Sequence, residues 1–361
     1  MSADIGFGVT VPANVSRYFH SREEAKSQPA AKVQLAWDSS DPWIFNRAFD
    51  ASLVRHDGYY CTGSMCIDGS LAIPTSSYFP DLVAPFLDSA SNVVDIGCGQ
   101  GEFVGWVRSM GIPAVGYDPV LRKQAAGLFP RYWSPDEAAA DLYVMRCVLP
   151  HIEDPWTFLA SIASSSPGSL VLIEYQRLDF ILAQNAWFQI SHDHVNQFRL
   201  SDFTERFDVK AHGVFAGDEW QWVLLSPKRV GHPPDRPFDL EDEFVGLWAS
   251  RERSLDRWAT LDQPLAIWGA AGKGAAIAHA LVEAGIEQLI AIDADPDKSG
   301  MFMEGSGVEV FSPASSLDYM KQGTQMIVAN PNHLTDVRDY VAGRFLVTAA
   351  SAWGAAADIV S

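Results

Sequence analysis

From about residue 90 the chain repeats one order of elements: an apolar strand, a turn and a helical segment. Buried strands are predicted in NVVDIG, AVGYD, DLYVMRCV and SLVLIEY. Apolar runs of this length that alternate with helices are typical of a parallel sheet covered by helices on both faces. FDVKAHGVF and EWQWVLLSP, which AGDE joins, then predict an antiparallel hairpin at the edge of the sheet. The order of elements therefore predicts an α/β fold.

A second series with the same order follows a segment rich in proline and charge. This segment is SPKRVGHPPDRPFDLEDE, within which residues 229–243 are predicted to be a linker. Strands are then predicted in LAIWGA, QLIAIDA, VEVFSP, QMIVAN and RFLVTA. The chain is therefore expected to hold two Rossmann-like units, at residues 58–228 and 244–361. Residues 1–57, with stretches such as AAKVQLAW and PWIFNRAF, are expected to be an appended helical or loop segment.

The first glycine turn, VVDIGCGQGEF, follows Asp95 with glycines at alternate positions. Such spacing lets the backbone turn sharply and lets a ligand approach the main chain. About twenty residues later Asp118 ends the next strand, where a carboxylate accepts the hydroxyls of a ribose. A dinucleotide motif has its last glycine one position later, where Glu102 stands, and this carboxylate would repel a pyrophosphate at the helix start. A cofactor with a ribose and no phosphate, such as S-adenosylmethionine (SAM), fits better.

This motif, D-x-G-x-G-x-G followed by an acidic strand end, resembles that of the class I SAM-dependent methyltransferases. The resemblance implies a mostly parallel, seven-stranded Rossmann-like sheet with SAM as the cofactor. The predicted cofactor-binding residues lie in the glycine turn and at two later strand ends: Asp95, Gly97, Cys98, Gly99, Gly101, Asp118, Pro119 and Cys147.

The second glycine turn, IWGAAGKGAAIAHAL, also lacks a dinucleotide spacing, and Asp293 ends the strand after it. Two interpretations stay open for Lys273 at the start of its helix. In one, Lys273 contacts an anionic substrate, because a glycine-rich helix start binds anions. In the other, the segment is a tight strand-to-helix turn and Lys273 is a solvated side chain.

Composition limits the partners and the compartment. The formal net charge is −19, from 45 acidic and 26 basic side chains, and no run of Lys and Arg is present. Nucleic acid and anionic membranes are therefore unexpected partners, whereas one local pocket can still bind a small anionic substrate. No stretch approaches the ~20 apolar residues of a spanning helix, and four cysteines form no disulfide framework. We expect a cytoplasmic protein with a small-molecule substrate.

Three histidines are predicted near the carboxyl end of the first sheet. His151 follows the strand DLYVMRCV, and His192 and His194 flank Asp193 after the strand SLVLIEY. An extended QISHDHVNQF would point both of the latter imidazoles one way and Asp193 the other. Metal binding requires further ligands, which no Cys or Glu supplies at a supporting spacing. A structural role and acid/base catalysis stay open, and the clustering favours catalysis.

The order of parts resembles the sugar C-methyltransferases that act on nucleotide-linked 4-keto-deoxysugars. The resemblance covers roughly residues 58–345 and is carried by VVDIGCGQGEF, VLPHIEDP, NAWFQISHDHVNQFRLSDF, IWGAAGKGAAI and DADPDKSGMFMEGSGVEVFSP. It implies that His194 is the base and that His151 lies near the keto oxygen of the substrate. It also implies that His192 and Asp193 position the site, and that Tyr59 or Tyr60 matches a tyrosine ahead of the SAM domain, with Tyr60 as a catalytic candidate.

The chain departs from that family at three points. Ser191, a candidate substrate contact, stands where the family has tyrosine, and Asp193 stands where it has glutamate. The family's amino-terminal zinc module has no counterpart, since residues 1–60 contain no cysteine. Cys61 and Cys66 are separated by four residues and have no second pair, so no metal site is expected.

Four functions are compatible with the sequence. The first is SAM-dependent C-methylation of a small anionic metabolite, such as a nucleotide-linked keto sugar. The second keeps SAM and moves the methylated atom to oxygen, nitrogen or an alkene carbon. The third is a non-catalytic paralogue that binds SAM, and the fourth is a dehydrogenase.

Overall fold

The computed structural model describes residues 2–57, 85–87, 90, 92–121, 125–235, 237–260, 264–320, 324–330, 333–341 and 346–349. Its first part contains strands where a helical or loop segment was expected. β1 (Ser2–Pro12) pairs antiparallel with β3 (Ala30–Asp38), which pairs antiparallel with β4 (Ile44–Asn46). The expectation is wrong because AAKVQLAW alternates buried and accessible side chains with the period of two that a strand requires. The short β2 (Tyr18–Phe19) and α1 (Arg22–Lys26) lie between β1 and β3.

The six strands predicted after residue 90 and one short strand that was not predicted, β7 (Leu128–Phe129), form a seven-stranded, mostly parallel sheet, which confirms the fold class. They are β5 (Val93–Ile96), β6 (Ala114–Tyr117), β7 (Leu128–Phe129), β8 (Leu142–Arg146), β9 (Leu170–Gln176), β11 (Phe207–Phe215) and β12 (Trp220–Arg229). Their order is β11-β12-β9-β8-β5-β6-β7, with the predicted hairpin β11–β12 antiparallel at one edge. The helices are α2 (Glu102–Ser109), α3 (Pro155–Ser165), α4 (Leu178–Ala183) and α5 (Leu200–Thr204).

A strand between α4 and α5 leaves this sheet and joins the amino-terminal one. β10 (Asn196–Gln197) pairs antiparallel with β4, which gives a four-stranded sheet of order β1-β3-β4-β10. The predicted histidine segment lies immediately before β10. The first 57 residues are therefore connected directly to the candidate site.

The strands predicted after residue 243 form a parallel five-stranded sheet of order β16-β14-β13-β17-β18. They are β13 (Leu265–Trp268), β14 (Leu289–Ile292), β16 (Val310–Phe311), β17 (Gln325–Val328) and β18 (Leu346–Ala349). The short β15 (Phe302–Met303) pairs with β2. The helices are α6 (Glu241–Ala259), α7 (Lys273–Glu283), α8 (Pro313–Tyr319) and α9 (Leu334–Val341). No helix in the described ranges combines the length and the apolar composition that crossing a bilayer requires.

The amino-terminal sheet is buried against the second unit. Leu35 and Trp37 of β3 share one apolar cluster with Phe244 of α6 and Ile277 of α7. A buried ion pair, Arg17 with Glu304, adds to this contact, with Nη1 and Oε2 2.9 Å apart. Burial of large apolar side chains is the main stabilising term in such a contact. The amino-terminal segment is therefore an integral part of the interior.

Candidate active site

The loop after β5 has the backbone that its glycines predict. Gly97, Gly99 and Gly101 have φ values of 72°, 56° and 87°, a left-handed region that costs other residues about 1–2 kcal/mol. A Cβ at Gly97 would collide with Val148 Cγ2, and a Cβ at Gly101 would collide with Leu128. A Cβ at Gly99 would meet no heavy atom of the described residues within 4 Å. Packing thus requires two of the glycines, and the third leaves the loop open to a ligand.

Two carboxylates flank this loop. Asp118 accepts hydrogen bonds from the backbone N–H groups of Gly99 (Oδ2, 2.9 Å) and Val120 (Oδ1, 2.7 Å). Each of its oxygens keeps a second lone pair for a ribose hydroxyl. Asp95 is buried, and no described residue donates a hydrogen bond to its Oδ1. Burial raises the pKa of Asp95 to about 7. An oxygen with no donor among the described residues is a candidate acceptor for a ligand.

The other predicted cofactor residues lie at the same carboxyl ends of strands. Cys98 is buried, and its Sγ fills the space that a Cβ at Gly116 would need, so only its backbone faces a ligand on the loop. Cys147 directly follows β8 with a left-handed φ of 58°, and its N–H donates to the Glu174 carbonyl oxygen (3.0 Å). Pro119 is half-buried directly after Asp118. The glycine loop, the Asp118 carboxylate and the Asp95 oxygen that has no donor among the described residues fit SAM.

His151 and His194 are in contact at the carboxyl end of this sheet. Their ring centroids are 4.6 Å apart at an interplanar angle of 76°. His151 Nδ1 donates to the Asp193 carbonyl oxygen (2.8 Å) and lies 3.9 Å from Asp193 Oδ2. Ser191, which is buried, donates from Oγ to Asp193 Oδ1 (2.6 Å). Ser191 therefore orients the carboxylate, and the hydrogen bond from Nδ1 fixes the His151 ring.

Burial and neighbouring charge set the protonation of this group. Burial and the adjacent His151 lower the pKa of His194 to about 4, although Asp193 opposes this shift. Burial works against ionisation of Asp193, but His151, His194 and the Ser191 hydroxyl together lower its pKa. At neutral pH a neutral imidazole thus lies beside an ionised carboxylate. A neutral imidazole has a lone pair that can accept a proton, although the lowered pKa makes His194 a weaker base than a free histidine.

A packing contact joins the histidine pair to the glycine loop. Val148, which lies against Gly97, directly precedes the 3₁₀ turn Leu149–His151. The His151 N–H donates to the Val148 carbonyl oxygen (3.0 Å), which closes the turn. One short turn therefore touches the glycine loop at its start and carries His151 at its end.

His192 is not part of this group, although it was predicted to be catalytic. Its imidazole is fully buried, donates from Nδ1 to the Lys32 carbonyl oxygen (2.9 Å) and accepts at Nε2 from the Asp50 N–H (3.2 Å). The prediction that His192 and His194 point the same way is wrong because the backbone bends at residues 192–193. These contacts anchor the histidine segment to the amino-terminal sheet and favour the structural interpretation of His192 over the catalytic one.

The amino-terminal sheet also restrains His151 and His194. The Asn46 N–H donates to the Val195 carbonyl oxygen (2.7 Å), beside His194. Trp43 Nε1 donates to Asn196 Oδ1 (3.0 Å), and Asn196 Nδ2 donates to the Ile152 carbonyl oxygen (2.7 Å), beside His151. Both histidines are thus tied to one rigid sheet by their chain neighbours.

Sequence reasoning missed His56 and Tyr132. His56 Nδ1 lies 3.1 Å from the Tyr132 hydroxyl. His56 interacts electrostatically with Asp118, His151 and Asp193, which lie on both sides of the candidate site, and partial desolvation together with His151 lowers its pKa. No sequence motif surrounds His56. The fold alone brings it near the seven-stranded sheet, which residues 93–229 form.

Lys273 and Asp293 both form ion pairs in the described structure. Lys273 is largely buried, with Nζ 2.5 Å from Oε1 of the buried Glu219, so it is not the solvated side chain considered above. Asp293 Oδ2 accepts from Lys298 Nζ (3.1 Å), which neutralises the acidic end of the second unit's strand. In the described structure Lys273 is therefore paired with a buried carboxylate. The remaining predicted positions lie outside the described residues: Tyr59, Tyr60, Cys61 and Cys66.

Part of the chain is similar to known methyltransferases. Residues 76–211 match the model of a methyltransferase domain family. The N-methyltransferase NodS from Bradyrhizobium japonicum WM9 is 16% identical over 44% of this chain and 99% of its own, with a TM-score of 0.31. Magnesium protoporphyrin IX methyltransferase from Synechocystis PCC 6803, solved with S-adenosylhomocysteine (SAH), is 14% identical over 42% and 81%, with a TM-score of 0.33.

A third structure, 1,6-didemethyltoxoflavin-N1-methyltransferase from Burkholderia thailandensis with SAH, is 15% identical over 43% of this chain and 77% of its own, with a TM-score of 0.32. A search of curated proteins gave no match. The family match covers the glycine loop, Asp118 and both histidines of the pair. Residues 76–211 are therefore similar to a methyltransferase domain, and this match supports a SAM-dependent methyltransferase enzyme.

Proposed function

We propose that this methyltransferase acts on a carbon atom of a small anionic metabolite, with a nucleotide-linked keto sugar as the first substrate to test. The observation that carries the proposal is the contact between His151 and the neutral His194, with the ionised Asp193 beside them. A carbon next to a ketone becomes a nucleophile only after loss of a proton. That step needs a base and a group that stabilises the enolate oxygen.

The two imidazoles are suited to different parts of this step. His194, neutral at pH 7, takes the proton from the carbon. His151 has its Nδ1–H committed to the Asp193 carbonyl oxygen, so it can donate to the enolate oxygen only from a protonated Nε2. The Asp193 carboxylate lies 3.9 Å from His151 Nδ1. SAM, when bound, supplies the electrophilic methyl group.

Hydrogen exchange tests the proton step without methyl transfer. The protein is incubated in D₂O with a nucleotide-linked 4-keto-deoxysugar and no SAM, and the C–H signal next to the ketone is followed by NMR. We expect exchange with the wild type and a loss of about 100-fold or more in His194→Ala, the range that general acid–base catalysis contributes. His212→Ala, a change of an exposed histidine on β11, is the matched control. Exchange by His194→Ala at the wild-type rate would refute the assignment of the base.

Methylation of oxygen, nitrogen or an alkene carbon is the second candidate. It is favoured by Ser191 and Asp193, which replace the tyrosine and glutamate of the sugar C-methyltransferases. NMR mapping of the methylated atom in the product separates the two candidates. A non-catalytic paralogue would bind SAH tightly and release none from SAM in single-turnover assays.

A further inference from the structure

His56 and Tyr132 form a polar aromatic pair between the amino-terminal segment and the cofactor edge of the sheet. Besides the 3.1 Å contact between His56 Nδ1 and the tyrosine hydroxyl, the two rings have centroids 6.4 Å apart in an edge-to-face arrangement. The methyltransferase mechanism above uses neither residue. Both interact electrostatically with Asp118, the predicted ribose acceptor.

The position of His56 is fixed by its two chain neighbours. The Arg55 N–H donates to Asn14 Oδ1 (2.9 Å). Asp57 Oδ2 pairs with Arg17 Nη2 (2.8 Å), and the Arg17 side chain is buried. These two contacts restrain the backbone on both sides of His56 and place its imidazole next to Tyr132.

Tyr132 reaches the same place from the sheet. It lies three residues beyond β7, and the Asp118 N–H donates to the carbonyl oxygen of Phe129, the last residue of β7 (3.1 Å). Despite its contact with His56, the side chain of Tyr132 is 67% exposed. Burial of such an aromatic surface is favourable when a flat apolar ligand covers it.

We propose that the His56–Tyr132 pair binds the adenosine half of the cofactor. Asp118 accepts the ribose hydroxyls, and the purine attached to that ribose packs against the exposed ring of Tyr132, which His56 holds in place. His56, which is distant in sequence from the glycine motif, is then a residue that positions the cofactor. The proposal depends on the cofactor and is independent of the acceptor.

Calorimetric titration with two probes tests this assignment. SAH contains both the adenosine and the amino-acid parts of the cofactor, and 5′-methylthioadenosine contains only the adenosine part. Tyr132→Ala should weaken the binding of both probes by a similar factor, about tenfold, as expected for loss of an aromatic stacking partner of a base. Tyr132→Phe should weaken both less, because it keeps the ring, and His56→Ala should weaken both.

Tyr319→Ala is the matched control, since Tyr319 is similarly exposed, at 60%, and lies in the second unit. It should bind both probes as the wild type does. The proposal is overturned if Tyr132→Ala binds both probes like the wild type, or if only SAH binding weakens, which would place the pair at the amino-acid end. Failure of the wild type to bind SAH would overturn both this proposal and the cofactor assignment. The titrations contain no methyl acceptor. Their outcome therefore does not depend on whether the protein methylates carbon.

Discussion

Replacement of His192 by alanine should destabilise the protein, because the imidazole bridges two backbone groups that are distant in sequence. The change removes the hydrogen bonds to the Lys32 carbonyl oxygen (2.9 Å) and from the Asp50 N–H (3.2 Å). It also removes a ring packed against Phe49, with centroids 5.2 Å apart. A buried backbone group left without a partner costs about 1–3 kcal/mol. Since Asp50 is itself exposed, water compensates part of this loss, and we expect a decrease of about 2–3 kcal/mol in the free energy of unfolding.

Urea unfolding followed by tryptophan fluorescence measures this decrease. His192→Asn should recover part of the stability, because the amide nitrogen of asparagine can still donate near the position of Nδ1. His212→Ala, at an exposed position, should change the free energy of unfolding by no more than about 0.5 kcal/mol. A His192→Ala variant as stable as the wild type, but unable to catalyse hydrogen exchange of the substrate, would refute the structural role and restore His192 as a reacting group.

Three further predictions concern stability and cofactor binding. Because folding lowers the pKa of His194 from 6.5 to about 4, the folded state binds fewer protons between these values and stability rises with pH across them; His194→Gln should flatten this rise in unfolding experiments from pH 4 to 7. Gly97→Ala should lower the unfolding midpoint, because the added methyl group collides with Val148. Gly99→Ala should cost only about 1–2 kcal/mol of backbone strain and should chiefly reduce the affinity for SAH. Equal effects of the two changes on folding would contradict the open loop. Lys273→Met should lower the free energy of unfolding by about 3 kcal/mol or more, because it leaves the buried Glu219 carboxylate of the 2.5 Å ion pair without its partner. An additional Glu219→Gln change should restore much of this stability. A Lys273→Met variant as stable as the wild type would contradict the ion pair.

Local sequence patterns predicted the two sheets well. Short apolar runs next to glycine turns identified every parallel strand from β5 to β9, apart from the two-residue β7, because a strand buried on both faces must be apolar along its whole length. The glycine motif also predicted the sharp turn after β5, where Gly97, Gly99 and Gly101 have left-handed backbone. These features depend on neighbouring residues in the chain, so one sequence is sufficient to predict them.

Which histidines lie at the candidate site depends on contacts between residues that are distant in sequence. His192 and His194 are equivalent in the pattern SHDH, and only the contact of His192 with Lys32 and Asp50 separates a structural histidine from a reactive one. His56 has no motif around it and reaches the site because the amino-terminal strands pack against the second unit. The alternation in AAKVQLAW was the available sign of those strands, but it does not reveal that β4 pairs with β10.

A crystal structure of the protein with bound SAH tests the central claim most directly, namely that the glycine loop presents the cofactor to the histidine pair. We predict a ribose on Asp118, an adenosine covered by Tyr132, and a sulfur atom on the side of the loop that faces His151 and His194. An empty loop, or a sulfur atom directed away from both imidazoles, would contradict the account.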